Sequence, residues 1–224
     1  MISEEFLKIY WSQYISLEKE FLVTLQYLAL DVKNEDAYSQ AYAKLMLEIG
    51  SEVDVVFKEY CKTIDTNFKN SYKTIDRYKE SIKTCNPMFI QQEILVRNDY
   101  PTIKPWIEWN VLDKSVSPYW WTAYNKVKHN RTSVVQIDGI VQEGFKFANQ
   151  KYALLALAGL YQIMVYFYQK IASIEKRRIV TPIPGSRIFK LIGGMWDSID
   201  FYGDSALYID ENGNLIWETS MIHY

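Results

Sequence analysis

One histidine in this chain stands where an imidazole could do chemistry with its neighbours. Trp121, Asn125 and His129 are spaced by four, which on a helix stacks their side chains along one face. Lys126, Lys128 and Arg131 surround that face with positive charge, and Tyr124 lies beside it. An imidazole exchanges protons near neutral pH, a carboxamide orients a bound group, and a guanidinium or ammonium neutralises a phosphate. Cleavage of RNA through its 2′-hydroxyl calls for such a set: a base, an acid and a cation near the phosphate. The other histidine, His223, follows a hairpin signal and reads as a frayed surface residue. A two-histidine mechanism would therefore draw His129 from two chains across a symmetric dimer. The plain alternative is a hydrogen-bonded His129 on a helix surface, with the lysines solvated.

The stretch from Ser117 to Arg131 that carries these residues has helical signals. Ser117 is a capping residue, and Pro118 suits the first helical position, where its missing N–H would lack a partner anyway. Trp120, Ala123, Tyr124 and Val127 recur at three and four, a stripe that should face a core.

The surrounding elements are expected to be helical as well. Ser3 would cap a helix reaching Asp31, with Phe6, Tyr10, Tyr14, Leu17, Phe21, Leu25 and Leu28 inward. Asn34 would cap a second, with Tyr38, Tyr42, Leu45, Ile49, Val53, Val56, Tyr60 and Ile64 buried and Gly50 interrupting it. Asp54 and Lys58 read as an i,i+4 ion pair; the alternative has Glu48 or Asp54 facing the His129 helix. Residues 67 to 85 suggest a shorter helix on Tyr72, Ile75, Tyr78 and Ile82, ended by Pro87. Residues 88 to 116 read as a long ordered loop whose Trp106 and Trp109 pack on the bundle or serve as a contact surface. Residues 134 to 147 fit no single pattern. Asn149 to Ala172 reads as a central buried helix rather than a membrane span. Thr181-Pro182-Ile183-Pro184-Gly185 marks a boundary, and Ala206–Ile209 and Leu215–Thr219 flank an Asn212-Gly213 hairpin turn.

The totals limit what this set can be. A net charge of −2 gives no global basic field, so any nucleic-acid role rests on a local patch. The 16% aromatic content, with 18 Tyr and 7 Trp, points to thick aromatic packing or a contact surface. Cys61 and Cys85 show no metal spacing and read as reduced thiols of a cytoplasmic protein. Glu4, Glu5 and Lys8 argue against a signal peptide. No phosphate-cradling glycine motif, no zinc motif and no identifiable Ser-His-Asp set occurs, and no metal or cofactor is expected. Ile192-Gly193-Gly194-Met195 reads as a turn, and the sequon Asn130-Arg131-Thr132 as chance.

At Trp120-Trp121-x-x-Tyr124-Asn125-x-x-Lys128-His129-x-Arg131 the chain resembles the HEPN superfamily. The resemblance implies a mainly α, up-down helical bundle over residues 1–178; residues 179–224 lie outside it and read, from their own turn signals, as a small C-terminal β-hairpin appendage packed on the bundle. It implies a homodimer through the motif helix, an antitoxin-type partner protein, and a place in toxin–antitoxin or phage-defence systems. Active members are metal-independent endoribonucleases. Carried over, His129 takes the catalytic histidine position and Asn125 the polar one. The family's arginine would fall at Thr122, Ala123 or Tyr124, none of which is Arg, so Arg131 or Lys128 would have to stand in. Lys126, Lys128, Trp121 and Tyr124 would contact RNA or a nucleotide. A catalytically inactive helical scaffold is the alternative the missing arginine favours.

Overall fold

A computed structural model describes residues 1–69, 74–97, 99–111, 116–177, 181–193 and 196, together with the backbone of two strands at 205–209 and 215–219. The described chain is mainly helical. A first helix runs as α1 (Ser3–Phe6), a π turn (Leu7–Trp11) and α2 (Ser12–Thr24); α3 (Gln40–Ile64), α4 (Ile75–Cys85), α5 (Tyr119–His129) and α6 (Gln150–Ile174) follow. Short strands form antiparallel pairs: β1 (Glu93–Val96) with β4 (Phe189–Ile192), β2 (Val134–Ile137) with β3 (Ile140–Glu143), and β5 (Ser205–Ile209) with β6 (Leu215–Thr219). A mainly α fold with a small β addition is what the residue pattern implied.

The central element is α6, 25 residues long and capped by Asn149, whose side chain accepts the Tyr152 N–H at 3.0 Å. From Tyr152 to Tyr168 every residue but Leu155 is buried, which is why no polar face appears in its sequence. α1, α2, α3, α5 and β4 all pack against it. Its one mid-helix amide, Gln162, donates to the Phe89 carbonyl at 2.6 Å. No helix among the described residues is long and apolar enough to cross a membrane.

The N-terminal helix departs from a uniform 3.6-residue repeat. Its buried apolar residues are Phe6, Trp11, Tyr14, Leu17 and Phe21, and the five-residue step from Phe6 to Trp11 is the π turn. One inserted residue rotates the face, so Trp11 takes the core position expected for Tyr10. The helix stops at Thr24 and not at Asp31. Ser3 is not its cap; Ser3 is buried, and both its N–H and its hydroxyl donate to the Glu175 carboxylate. Asn34 lies in a short 3-10 turn, and the residue that caps α3 is Ser39, whose hydroxyl oxygen accepts the Tyr42 N–H. The α3 stripe is buried as expected from Tyr42 to Tyr60; Tyr38, expected to open it, precedes the Ser39 cap and is exposed, and Ile64 on the last turn is half-buried.

Among the described residues, Asp54 forms no ion pair with Lys58. It accepts the Tyr78 hydroxyl at 2.9 Å, tying α4 to α3. Glu48 pairs with Lys44, so neither acid bonds to α5. α4 ends at Cys85, just ahead of Pro87; Tyr72 lies outside the described residues. Trp106 and Trp109 are fully buried, with Phe57 at 4.9 and 5.6 Å between ring centroids, which rules out their use as a contact surface. Residues 134–143, which fit no single pattern, form a hairpin. Asp138 and Gly139 both have positive φ at its turn, the backbone that an Asp-Gly pair favours.

Beyond the Pro-rich boundary, the chain is fastened in two directions. β4 pairs with β1, and the Trp11 indole N–H donates to the Pro184 carbonyl at 2.8 Å. Between them Glu18, 1% exposed, accepts the Tyr14 hydroxyl, the Ser186 hydroxyl and the Arg187 N–H. The β5–β6 turn and His223 lie outside the described residues. Cys61 is buried and Cys85 exposed, both as free thiols.

Glu18 is therefore a buried acceptor serving three donors on two segments. Removing it leaves those donors desolvated and unpaired, so Glu18→Ala should lower stability by about 3 kcal/mol in urea denaturation. A loss below about 1 kcal/mol would show that the carboxylate does not hold this segment.

Candidate functional site: the basic end of α5

Helix α5 begins one residue later than its Pro118 suggested. Pro118 sits at the N-cap, and Ser117 makes no capping bond. The first N–H is met from elsewhere: the Glu108 carboxylate, on a 3-10 turn at Ile107–Asn110, accepts the Tyr119 backbone. This places an acid at the positive end of the helix dipole. The carboxylate's Oε2 is buried without a hydrogen-bond partner. Burial pushes the Glu108 carboxyl above the usual range; the nearby Asp138 adds to this, and Lys151 opposes it.

The inward stripe of Trp120, Ala123, Tyr124 and Val127 is buried, as its spacing implied. Two glycines make room for its rings. A Cβ on Gly159 would lie 3.0 Å from the Trp120 ring, and one on Gly50 only 2.4 Å from the Tyr124 ring. The Trp120 indole also donates to the Pro105 carbonyl at 2.7 Å. Tyr124 in turn holds its neighbours. Lys128 donates to its hydroxyl at 3.1 Å and lies 5.3 Å over its ring, while the Trp121 ring is 5.0 Å away.

Trp121, Tyr124 and Lys128 are thus one cluster on a half-buried flank of α5. Asn125 stands beside it with its amide donating to the Trp121 carbonyl at 3.1 Å. His129 is exposed on the last turn, and among the described residues its side chain makes no hydrogen bond or ion pair. Lys126 is half-buried and also without an ion pair among the described residues. Arg131 takes a different direction from His129. Its Nε donates back to the Val127 carbonyl at 2.9 Å, on the stripe that faces the core.

That turn places Arg131 on the wall of a cavity of about 430 Å³, with Tyr38, Ser39, Gln40, Thr132 and Phe145. The 3-10 turn that follows β3 (Gly144–Phe147) supplies one side. The Phe145 N–H donates to the Arg131 carbonyl at 3.0 Å and the Gly144 N–H to the Ser133 carbonyl at 2.9 Å. Gly144 is pressed so close to the Asn130 carbonyl that a Cβ would sit 2.2 Å from its oxygen. On the other side, Tyr38 pairs with Asn149, and its ring meets Phe145 edge-on at 5.4 Å. The sequence singled out Arg131 alone of these residues; the aromatic pair comes from segments more than 100 positions apart, with no periodicity to join them.

A second cavity, about 540 Å³, lies toward the far end of α6 and includes Asn86, Gln91, Gln92, Tyr166 and Trp196, none of them expected as site residues. Among the described residues no group of three or more His, Cys, Asp or Glu side chains is placed to hold a metal. No protein family, curated protein or solved structure matches this chain.

The raised Glu108 carboxyl sets a sign for pH dependence. The folded group holds its proton more tightly than the unfolded one. Its contribution to stability is therefore full below the unfolded carboxyl's pKa of about 4.3, and is lost as pH rises through the raised value. Glu108→Gln does not ionise and keeps an acceptor for Tyr119. It should be more stable than wild type at pH 8 and lose that advantage at pH 3, as followed by urea denaturation; a variant less stable at pH 8 would contradict the assignment.

Proposed function

We propose that this chain is a HEPN-like helical module that binds single-stranded RNA at the basic end of α5 and does not cleave it. The observation that carries this is a local excess of unneutralised charge. Lys126, Lys128, His129 and Arg131 fall within one short stretch and have no acidic partner among the described residues. Several cations elsewhere do have acidic partners: Lys44 with Glu20, Lys62 with Glu59, Arg77 with Glu80, Lys104 with Glu93 and Lys146 with Glu143; what sets this stretch apart is four basic side chains within six residues. On a chain of net charge −2, such a patch is suited to a phosphate backbone, which releases counterions when it binds. Trp121, half-buried and held by the Tyr124 ring, lies beside it, the aromatic component that base stacking uses.

Two features favour binding over cleavage. The family's arginine position falls at Thr122, Ala123 or Tyr124, none of them Arg, and among the described residues His129 makes no hydrogen bond or ion pair to a second acid or base. Asn125 is partly committed to its own helix. The homodimer through α5 and the antitoxin-type partner belong to this proposal through the resemblance, and a dimer presenting two copies of His129 is the arrangement that would supply the missing group.

Fluorescence anisotropy with a labelled single-stranded RNA should show binding that weakens steeply with salt. Lys128→Ala should bind several-fold more weakly and reduce the slope against log salt by about 1. Binding indifferent to both would refute the proposal. The same RNA should stay intact on a denaturing gel; cyclic-phosphate ends produced by wild type and not by His129→Ala would make the site catalytic instead.

A further inference from the structure

Building on the reading of this end of α5 as a phosphate-facing surface, we propose that the cavity beside Arg131 is a pocket for a nucleoside monophosphate unit, either a free mononucleotide or the phosphorylated end of an RNA strand. Among the described residues Arg131 is the only charged one on its wall. Its Nε is committed to the Val127 carbonyl, which fixes the guanidinium plane and leaves the terminal amino groups for a ligand. Among the described residues no carboxylate pairs with it. A planar fork of donors with no acid nearby matches phosphate better than a neutral or cationic group.

The remaining wall supplies the rest of a nucleotide's needs. Ser39 already accepts the Tyr42 N–H, so its own hydroxyl hydrogen is left to donate, and Thr132 and Gln40 add further polar groups. Tyr38 is 49% exposed and is braced edge-on by Phe145, 86° between ring planes, so it offers a face held in a fixed orientation. Such a face stacks any base, which predicts weak preference among the four. A volume of about 430 Å³ is within the span of small-ligand pockets, roughly 300–1,000 Å³. The larger cavity near the far end of α6 is lined by carboxamides and has Glu93, an acid, as its charged residue, so it is not suited to a phosphate. The walls around Arg131 are also preorganised, because backbone bonds from Phe145 to Arg131 and from Ser39 to Ala148 join the segments that form them.

Isothermal titration calorimetry on the full chain tests this with AMP, adenosine, and a trinucleotide RNA carrying a 5′-phosphate or a 5′-hydroxyl. AMP should bind saturably and at least about tenfold tighter than adenosine. Arg131→Ala should weaken AMP by about tenfold or more, and Arg131→Lys, which keeps the charge but not the fork, by less. Tyr38→Ala should weaken AMP and adenosine alike, and Lys170→Ala should change nothing. Unfolding midpoints establish that each variant is folded. A phosphorylated trinucleotide binding tighter than AMP identifies a strand end as the ligand; equal affinity identifies the mononucleotide. AMP no tighter than adenosine, or indifferent to both Arg131→Ala and Tyr38→Ala, would overturn the proposal. If 5′-hydroxyl RNA still bound through Lys128 while AMP did not bind, the RNA reading would stand and this one would fall.

Discussion

The contact on which the rest depends is the seating of the Tyr124 ring in the space where Gly50 has no Cβ. α3 and α5 approach closely only because that atom is missing; the would-be Cβ lies 2.4 to 2.7 Å from three ring carbons. The ring is 5% exposed, so the surrounding core holds it in place. Tyr124 then positions Lys128 through its hydroxyl and Trp121 through its ring, while the same helix sends Arg131 back to Val127. Gly159 does for Trp120, against α6, what Gly50 does for Tyr124 against α3. A pair of missing methyl groups thus decides where the charged end of α5 is presented.

The protein treats its buried carboxyl groups in two ways. Glu18 is surrounded by donors: the Tyr14 and Ser186 hydroxyls and the Arg187 N–H satisfy both of its oxygens. Glu108 has a helix N-terminus at one oxygen and no partner at the other, and burial raises its pKa. The first arrangement strengthens the join between α2 and the segment before β4. The second leaves a buried polar atom unpaired beside the start of α5, at some cost in stability.

Much of this architecture was legible in the residues. The all-round apolar run of α6 and the three-and-four stripe of α5 gave their burial directly, because a helix fully enclosed by others has no reason to carry a polar face. What stayed hidden was non-local or aperiodic. The π turn at Leu7–Trp11 shifts the repeat by one residue, so Tyr10 was read as core in place of Trp11. Capping by Ser39 rather than Asn34 depended on a 3-10 turn that local chemistry permits but does not require. The β1–β4 pair joins residues almost 100 positions apart, and four-residue strands have too few positions to display alternation. Of the site, spacing by four grouped Trp121 with Asn125 and His129, whereas the Tyr124 ring draws Trp121 and Lys128 together; the separation of Arg131 from His129 followed from where the helix ends.

The most direct test of this account is the stability of Gly50→Ala in urea denaturation. Helix propensity alone would make alanine in α3 about 1 kcal/mol more stable than glycine. If Tyr124 occupies that space, the added methyl group must displace a buried ring, and the variant should be destabilised by about 1–3 kcal/mol. A Gly50→Ala protein as stable as wild type, or more so, would contradict the seating from which the placement of α5 has been derived.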